Sequence, residues 1–205
     1  MKHKPLFVTG IGTGIGKTVT SAILVEKLKA DYWKPIQSGD LDETDTDRVR
    51  QLVSNHQTVY HPEAYRLTQP FSPHKSAALD NVLIDLNSIV LPKTDNRLII
   101  EGAGGLMVPL NNEDLIIDLI QKLDAEVVLV SQNYLGSINH TLLSVEALRT
   151  RNIPLVKIVI CGNADKDSEE IIANKTGAQI IHIPQFAVLD RDVILDFSSQ
   201  LNYLL

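Results

Sequence analysis

The strongest constraint on what this chain can become lies near its start, in Leu6-Phe7-Val8-Thr9-Gly10-Ile11-Gly12-Thr13-Gly14-Ile15-Gly16-Lys17-Thr18. A short apolar run, of the kind that forms a buried strand, breaks into alternating glycines and ends in Gly16-Lys17-Thr18. An apolar-periodic helix follows, carried by Val19, Ala22, Ile23, Val25 and Leu28. Each residue type suits a phosphate chain. Glycines let the backbone bend so that successive N–H groups converge on anionic oxygens, and the helix N-terminus adds partial positive charge. Lys17 is long enough to reach the outer phosphates, and the Thr18 hydroxyl is a ligand for Mg²⁺. The interval from Gly10 to Gly16-Lys17 is one residue longer than in the common G-x-x-x-x-G-K-[ST] pattern. The strand before and the helix after still supply the context that such a motif needs. The stretch reads as a nucleotide-phosphate site.

Beyond it, strands and helical stretches alternate along the chain. That pattern predicts an α/β fold in three layers, a mostly parallel central sheet flanked by helices. Strands are expected at 32–36, where Pro35 helps to terminate, and at 97–101, ending abruptly at Gly102. Others are expected at 126–131, 157–160 and 179–183, with 65–67 extended. Helical stretches are expected at 48–53, from Lys75, at 82–90, at 138–148 and, closing the chain, at 193–205. No linker-like stretch interrupts the 205 residues, so residues 1–205 read as a single domain. One cysteine, Cys161, excludes an internal disulfide framework, and no apolar run approaches the ~18–20 residues of a membrane span. The basic start, Met1 to Pro5, precedes only a short strand and is no secretory signal. A net charge of −6 disfavours general nucleic-acid binding. These features point to a cytoplasmic protein with neither membrane nor nucleic acid as partner.

In sheets of this type ligands bind outside the carboxyl ends of the strands. The polar residues at predicted strand ends, Gly12 to Thr18, Lys34, Glu101, Asn133 and Asn163, are therefore expected to converge. Glu101 ends an apolar strand and is followed by glycines, the place from which an acid holds Mg²⁺ in P-loop proteins. Asp47 is a candidate second oxygen ligand; alternatively Asp45, Thr46 or Asp47 caps the helix that follows. Lys34, at the end of another apolar strand, is placed to stabilise charge developing in a transition state, or else buries its stem at the surface. Ser72-Pro73-His74 either orients a substrate or forms a turn, with His74 more fitting as a hydrogen-bonding bystander than as a base.

Several stretches together resemble the dethiobiotin synthetase family. They are Val8-Thr9-Gly10 with Thr13 to Thr18, Lys34-Pro35 with Ser38-Gly39, Pro70 to His74 with Ala77, and Glu101 to Gly105. Leu135-Gly136-Ser137-Ile138-Asn139-His140 is close to the family pattern as well. The resemblance implies a homodimeric P-loop ligase that uses 7,8-diaminononanoate, CO₂, ATP and Mg²⁺. An amine of the substrate forms a carbamate, the carbamate takes the γ-phosphoryl group, and the second amine closes the ureido ring. It assigns Lys17 to the β/γ-phosphates and Thr18, Asp47 and Glu101 to the metal. Thr13, Lys34 and Ser38 would face the carbamate and the phosphoryl group, with Lys34, Lys17 and Thr13 catalytic. Pro73 and Gly104 would adjoin the substrate, whose carboxylate would meet Gly136, Ser137 and Asn139 of a neighbouring subunit. The nucleotide would lie on Gly12, Thr13, Gly14, Ile15, Gly16, Lys17, Thr18 and Val19. Its base would meet Cys161 or Asn163 and Pro184, Gln185 and Phe186. Departures from the family are Ile11-Gly12 in place of Thr-Asp, and Cys161-Gly162-Asn163 where an adenine-reading Asn is usual. Regulatory ATPases of the partitioning type share the fold but carry an additional lysine at the position of Gly12.

Overall fold

The computed structural model describes residues 3–201. Its centre is a seven-stranded sheet in the order β4-β2-β6-β1-β7-β8-β9, parallel at every described pairing. The strands are β1 (Leu6–Gly10), β2 (Asp31–Trp33), β4 (Tyr60–His61), β6 (Leu98–Gly105), β7 (Glu126–Gln132), β8 (Leu155–Cys161) and β9 (Ile180–Ile183). A separate parallel pair, β3 (Ile36–Ser38) and β5 (Tyr65–Leu67), sits beyond the β2 end.

Alternation along the strands divides the core into two layers. Leu6 and Val8 of β1, Ile99 of β6, and Val128 and Val130 of β7 face one side. There they pack on α1 (Lys17–Leu28), α2 (Asp45–Leu52) and α7 (Arg191–Gln200) through Ala22, Ile23, Val25, Val49 and Ile194. Phe7, Leu98, Ile100, Val127 and Leu129 face the other. That side is covered by α3 (Pro73–Leu79), α4 (Ile116–Lys122), α5 (Ser137–Thr150) and α6 (Lys166–Thr176), with Ala77, Ile116, Val145, Leu148 and Ile172 buried against the sheet. A strand covered on both faces needs near-continuous apolar residues, which is why β1, β6 and β7 stood out in the sequence. The three-layer α/β expectation holds.

Some local expectations do not. The strand predicted to stop at Glu101 continues through the glycines to Gly105, because they lie against β1: a Cβ at Gly105 would come 3.0 Å from the Gly10 carbonyl oxygen. The helix expected at 82–90 is only a 3₁₀ turn, Leu86–Ser88, in which Asp85 accepts from the Asn87 N–H and the Ser88 hydroxyl. The strand read across Pro35 is two strands, since proline lacks the N–H that would continue the ladder. α3 begins at Pro73 rather than Lys75, with proline in its favoured first-turn position. Of the closing helix, Arg191–Gln200 is observed, and residues 202–205 lie outside the described residues.

Candidate active site

β1 delivers the chain into the glycine loop at the carboxyl edge of the sheet. Gly14 and Gly16 have φ of 72° and 97°, in the left-handed region that glycine enters freely. At Gly16 space also decides, since a Cβ would fall 2.6 Å from the Cys161 Sγ. Lys17 folds back over the loop, its Nζ donating to the Gly12 carbonyl at 2.7 Å. Burial lowers its pKa to about 8, despite the opposing pull of Glu101.

Next to the loop stands a buried charge cluster. Glu101, on β6, is 1 % exposed. Its Oε1 lies 2.9 Å from Thr18 Oγ1 and 3.4 Å from Lys34 Nζ, while its Oε2 accepts from the Tyr32 hydroxyl at 2.9 Å. Lys34 Nζ also lies 2.6 Å from Asp45 Oδ2, and Thr18 Oγ1 lies 3.1 Å from Asp45 Oδ1. Burial opposes a charge on Lys34, which is 4 % exposed. The carboxylates of Glu101 and Asp45 outweigh that penalty and hold its pKa above the ordinary lysine value. Burial likewise works against the Asp45 carboxylate, but Lys34 and the Thr18 hydroxyl keep it below its ordinary range. Tyr32 is raised well above the usual phenol value, first by burial and then by the Glu101 charge, so it remains a proton donor.

Asp45 therefore occupies the place expected for Asp47. Thr44 is the N-cap of α2: its hydroxyl accepts from the Asp47 N–H, while the Asp47 carboxylate accepts from the Thr44 N–H at 3.1 Å and its hydroxyl at 2.8 Å. Arg50 holds the other Asp47 oxygen at 2.8 Å. This capping box turns Asp47 away from the glycine loop and Asp45 toward it.

The cluster lines a cleft of about 590 Å³, together with Thr13, Ser38, Pro73 and Gly104 and the apolar Phe71 and Val108. The Ser38 hydroxyl is buried there without a hydrogen-bond partner. A smaller cleft of about 260 Å³ shares Gly14, Ile15, Gly16 and Val19 and is lined further by Cys161, Pro184, Gln185, Phe186 and Gln132. Asn163 lines neither cleft: its carbonyl accepts from Asn133 Nδ2 at 3.0 Å, and the same amide reaches Glu169 of α6. Of the two residues expected to meet the base, Cys161 lines the smaller cleft and Asn163 does not. Gly136, Ser137 and Asn139, at the start of α5, line neither cleft of their own chain. His74 is exposed and paired with Ser72, its Nδ1 3.1 Å from the Ser72 Oγ. Tyr32, Asp45 and Gln132 were not singled out from the sequence for the site. Thr44-x-x-Asp47 was the available signal for Asp45, since a capping box commits its last residue.

The fold and this pair of clefts define a P-loop nucleotide-binding protein. The AAA domain family matches residues 4–193. The cell division ATPase MinD of Pyrococcus furiosus superposes with a TM-score of 0.62 at 11 % identity, covering 99 % of this chain and 100 % of its own. A ParA family ATPase of Chlorobium tepidum gives 0.59 at 14 % identity, covering 98 % and 100 %. These likenesses establish the fold alone. Among curated proteins, the ATP-dependent dethiobiotin synthetase BioD of Cytophaga hutchinsonii is 48 % identical over 200 residues, 97 % of each chain. That of Christiangramia forsetii is 46 % identical over 198 residues, 96 % of this chain and 95 % of its own. The chain belongs to the dethiobiotin synthetase family.

Two consequences follow for the site. Asp45→Asn is expected to lower turnover on the order of 10²-fold and raise the Mg²⁺ concentration needed. Asp47→Ala is expected to cost about 1 kcal/mol of stability as a lost cap while largely sparing turnover. Kinetics and urea unfolding of both variants separate the two roles. Lys17 gives a pH signature. Free, it is charged below about 8 and neutral above, whereas phosphate favours the charged form, so binding above that pH takes up a proton. Affinity for Mg-ADP is expected to fall as pH rises above 8, by up to about tenfold per unit. Calorimetry in buffers of different ionisation enthalpy checks this, and a flat profile between pH 7 and 9.5 contradicts it.

Proposed function

We propose that the chain catalyses the ATP- and Mg²⁺-dependent closure of 7,8-diaminononanoate with CO₂ to dethiobiotin, through a carbamate and a carbamic-phosphoric anhydride, releasing ADP and phosphate. The observation that carries the reading is the meeting of Lys17, Thr18, Lys34, Asp45 and Glu101 in one cleft that Pro73, Phe71 and Ser38 also line. Family membership supplies the substrate. Phosphoryl transfer asks a protein for positioning and charge neutralisation more than for a nucleophile, and the cleft offers those.

The loop N–H groups and Lys17 hold the phosphates. Thr18, Asp45 and Glu101 would hold Mg²⁺; their donors are all oxygen, as that ion requires. The metal, when bound, neutralises charge on the transferring phosphoryl group. Lys34, kept protonated by its carboxylates, faces the carbamate oxygen and the group in flight. Thr13 and the unpartnered Ser38 hydroxyl offer hydrogen bonds to the same intermediate, while Gly104 lets it approach the backbone. Phe71 and Val108 give the aliphatic chain an apolar wall.

We read residues 1–205 as one domain acting in the cytoplasm as a homodimer. The start of α5 supports the dimer: Gly136, Ser137 and Asn139 lie away from their own cleft beside exposed Tyr134, Leu135 and Leu143. In that arrangement they bind the substrate carboxylate of the partner. No helix among the described residues is long and apolar enough to cross a membrane.

The test is phosphate release with ATP, Mg²⁺ and labelled bicarbonate, with and without the diamine. Release that requires the diamine, with label in the product, is the expected result. Turnover indifferent to the diamine contradicts the proposal and favours a regulatory ATPase.

A further inference from the structure

Resting on the reading of the smaller cleft as the nucleotide-base site, we infer that Gln132 reads the base and sets the preference for adenine. The cleft walls are largely apolar, formed by Ile15, Ile183, Phe186 and Cys161, and its polar side chains are Gln132 and Gln185. Gln185 follows Pro184 on the exposed rim. Gln132 is the last residue of β7 and the register partner of Cys161, the last residue of β8.

Strand alternation fixes the direction of Gln132. Val128 and Val130 of β7 pack on the face that carries α1 and the glycine loop. Two residues further along, Gln132 falls on that same face, beside the thiol that abuts Gly16. Asn133, one residue on, points to the opposite face, where it ties Asn163 to α6. The Gln132 Nε2 lies 3.5 Å from the Cβ position of Gly162, so the amide lies along the β8 turn. The polar groups of that turn are already used: the Gly162 N–H donates to the Ile183 carbonyl and its carbonyl accepts from His182. Among the described residues the Gln132 amide has no such partner.

A primary amide presents one donor and one acceptor side by side, which matches the N6 donor and N7 acceptor of adenine. A 6-oxo purine presents two acceptors at those positions and satisfies only half of the amide. Cys161, a weak hydrogen-bonding group held against the loop, supplies shape rather than discrimination. Base choice therefore sits on β7.

Calorimetric binding of Mg-ADP and Mg-IDP to the full chain, without diamine, tests this for wild type, Gln132→Met and Gln132→Glu. Met keeps volume without the amide; Glu keeps shape without the donor. Wild type is expected to prefer ADP, and Gln132→Met to narrow the ADP:IDP affinity ratio about tenfold, with IDP binding changed far less. Gln132→Glu keeps the acceptor for N6 but opposes both acceptors of a 6-oxo purine, and is expected not to narrow the ratio. A ratio unchanged in folded Gln132→Met, or narrowed in Gln132→Glu, overturns the inference while leaving the nucleotide site intact. Failure of wild type to bind either nucleotide overturns the nucleotide site itself, and the inference with it.

Discussion

A carboxylate taken almost wholly out of water governs this site. Glu101 would be costly to bury alone, since the penalty for an unpaired ion in a protein interior is several kcal/mol. Three groups from different parts of the chain compensate it: the Tyr32 hydroxyl, the Thr18 hydroxyl and the Lys34 ammonium. Sheet register makes this meeting possible. Glu101 is opposite Val8 of β1, and Tyr32 is opposite Ile99, two residues before Glu101 on the same face, so β2 and β1 flank β6 with their following residues at the same edge. A slip of one residue would send Glu101 to the other face and dissolve the cluster.

The two lysines of the cleft are tuned in opposite directions by similar burial. Lys17 rests on a carbonyl and has lost much of its affinity for a proton; it regains a reason to be charged when phosphates arrive. Lys34 is locked between Asp45 and Glu101 and stays charged throughout. Burial is common to both, so the difference lies in the partners. One lysine responds to the ligand, while the other is a fixed charge around which the ligand is placed, the preorganised kind of electrostatics on which phosphoryl transfer relies.

What could be read from the sequence was what is local or densely apolar. The glycine loop and β1 declare themselves within thirteen residues, Leu6 to Thr18, and α1 in the apolar period that follows; β6, β7 and β8 do so because both of their faces are covered. The metal-side acid was harder. Asp45 and Asp47 both precede the same helix, and only the reciprocal bonds between Thr44 and Asp47 decide which carboxylate remains free. Tyr32 was hidden inside an apolar strand, where a tyrosine looks like core until its hydroxyl finds a carboxylate. Asn163 looked well placed by sequence distance from β8. It lines neither cleft, and its backbone carbonyl accepts from Asn133, on the face opposite the glycine loop. The 82–90 stretch anchors itself in the core through buried Ile84 and Ile89, five residues apart, while Leu83 and Val90 are exposed.

The central claim is that Glu101 and Lys34 work as one unit rather than as independent contributors. A double-mutant cycle on turnover, with Glu101→Gln, Lys34→Met and the pair, tests it most directly. Each single change is expected to lower kcat on the order of 10²–10³-fold. The double variant is expected to fall no more than about tenfold below the worse single, because removing either partner already dismantles the cluster. Losses that multiply in the double variant would contradict the claim and make the two residues separate contributors.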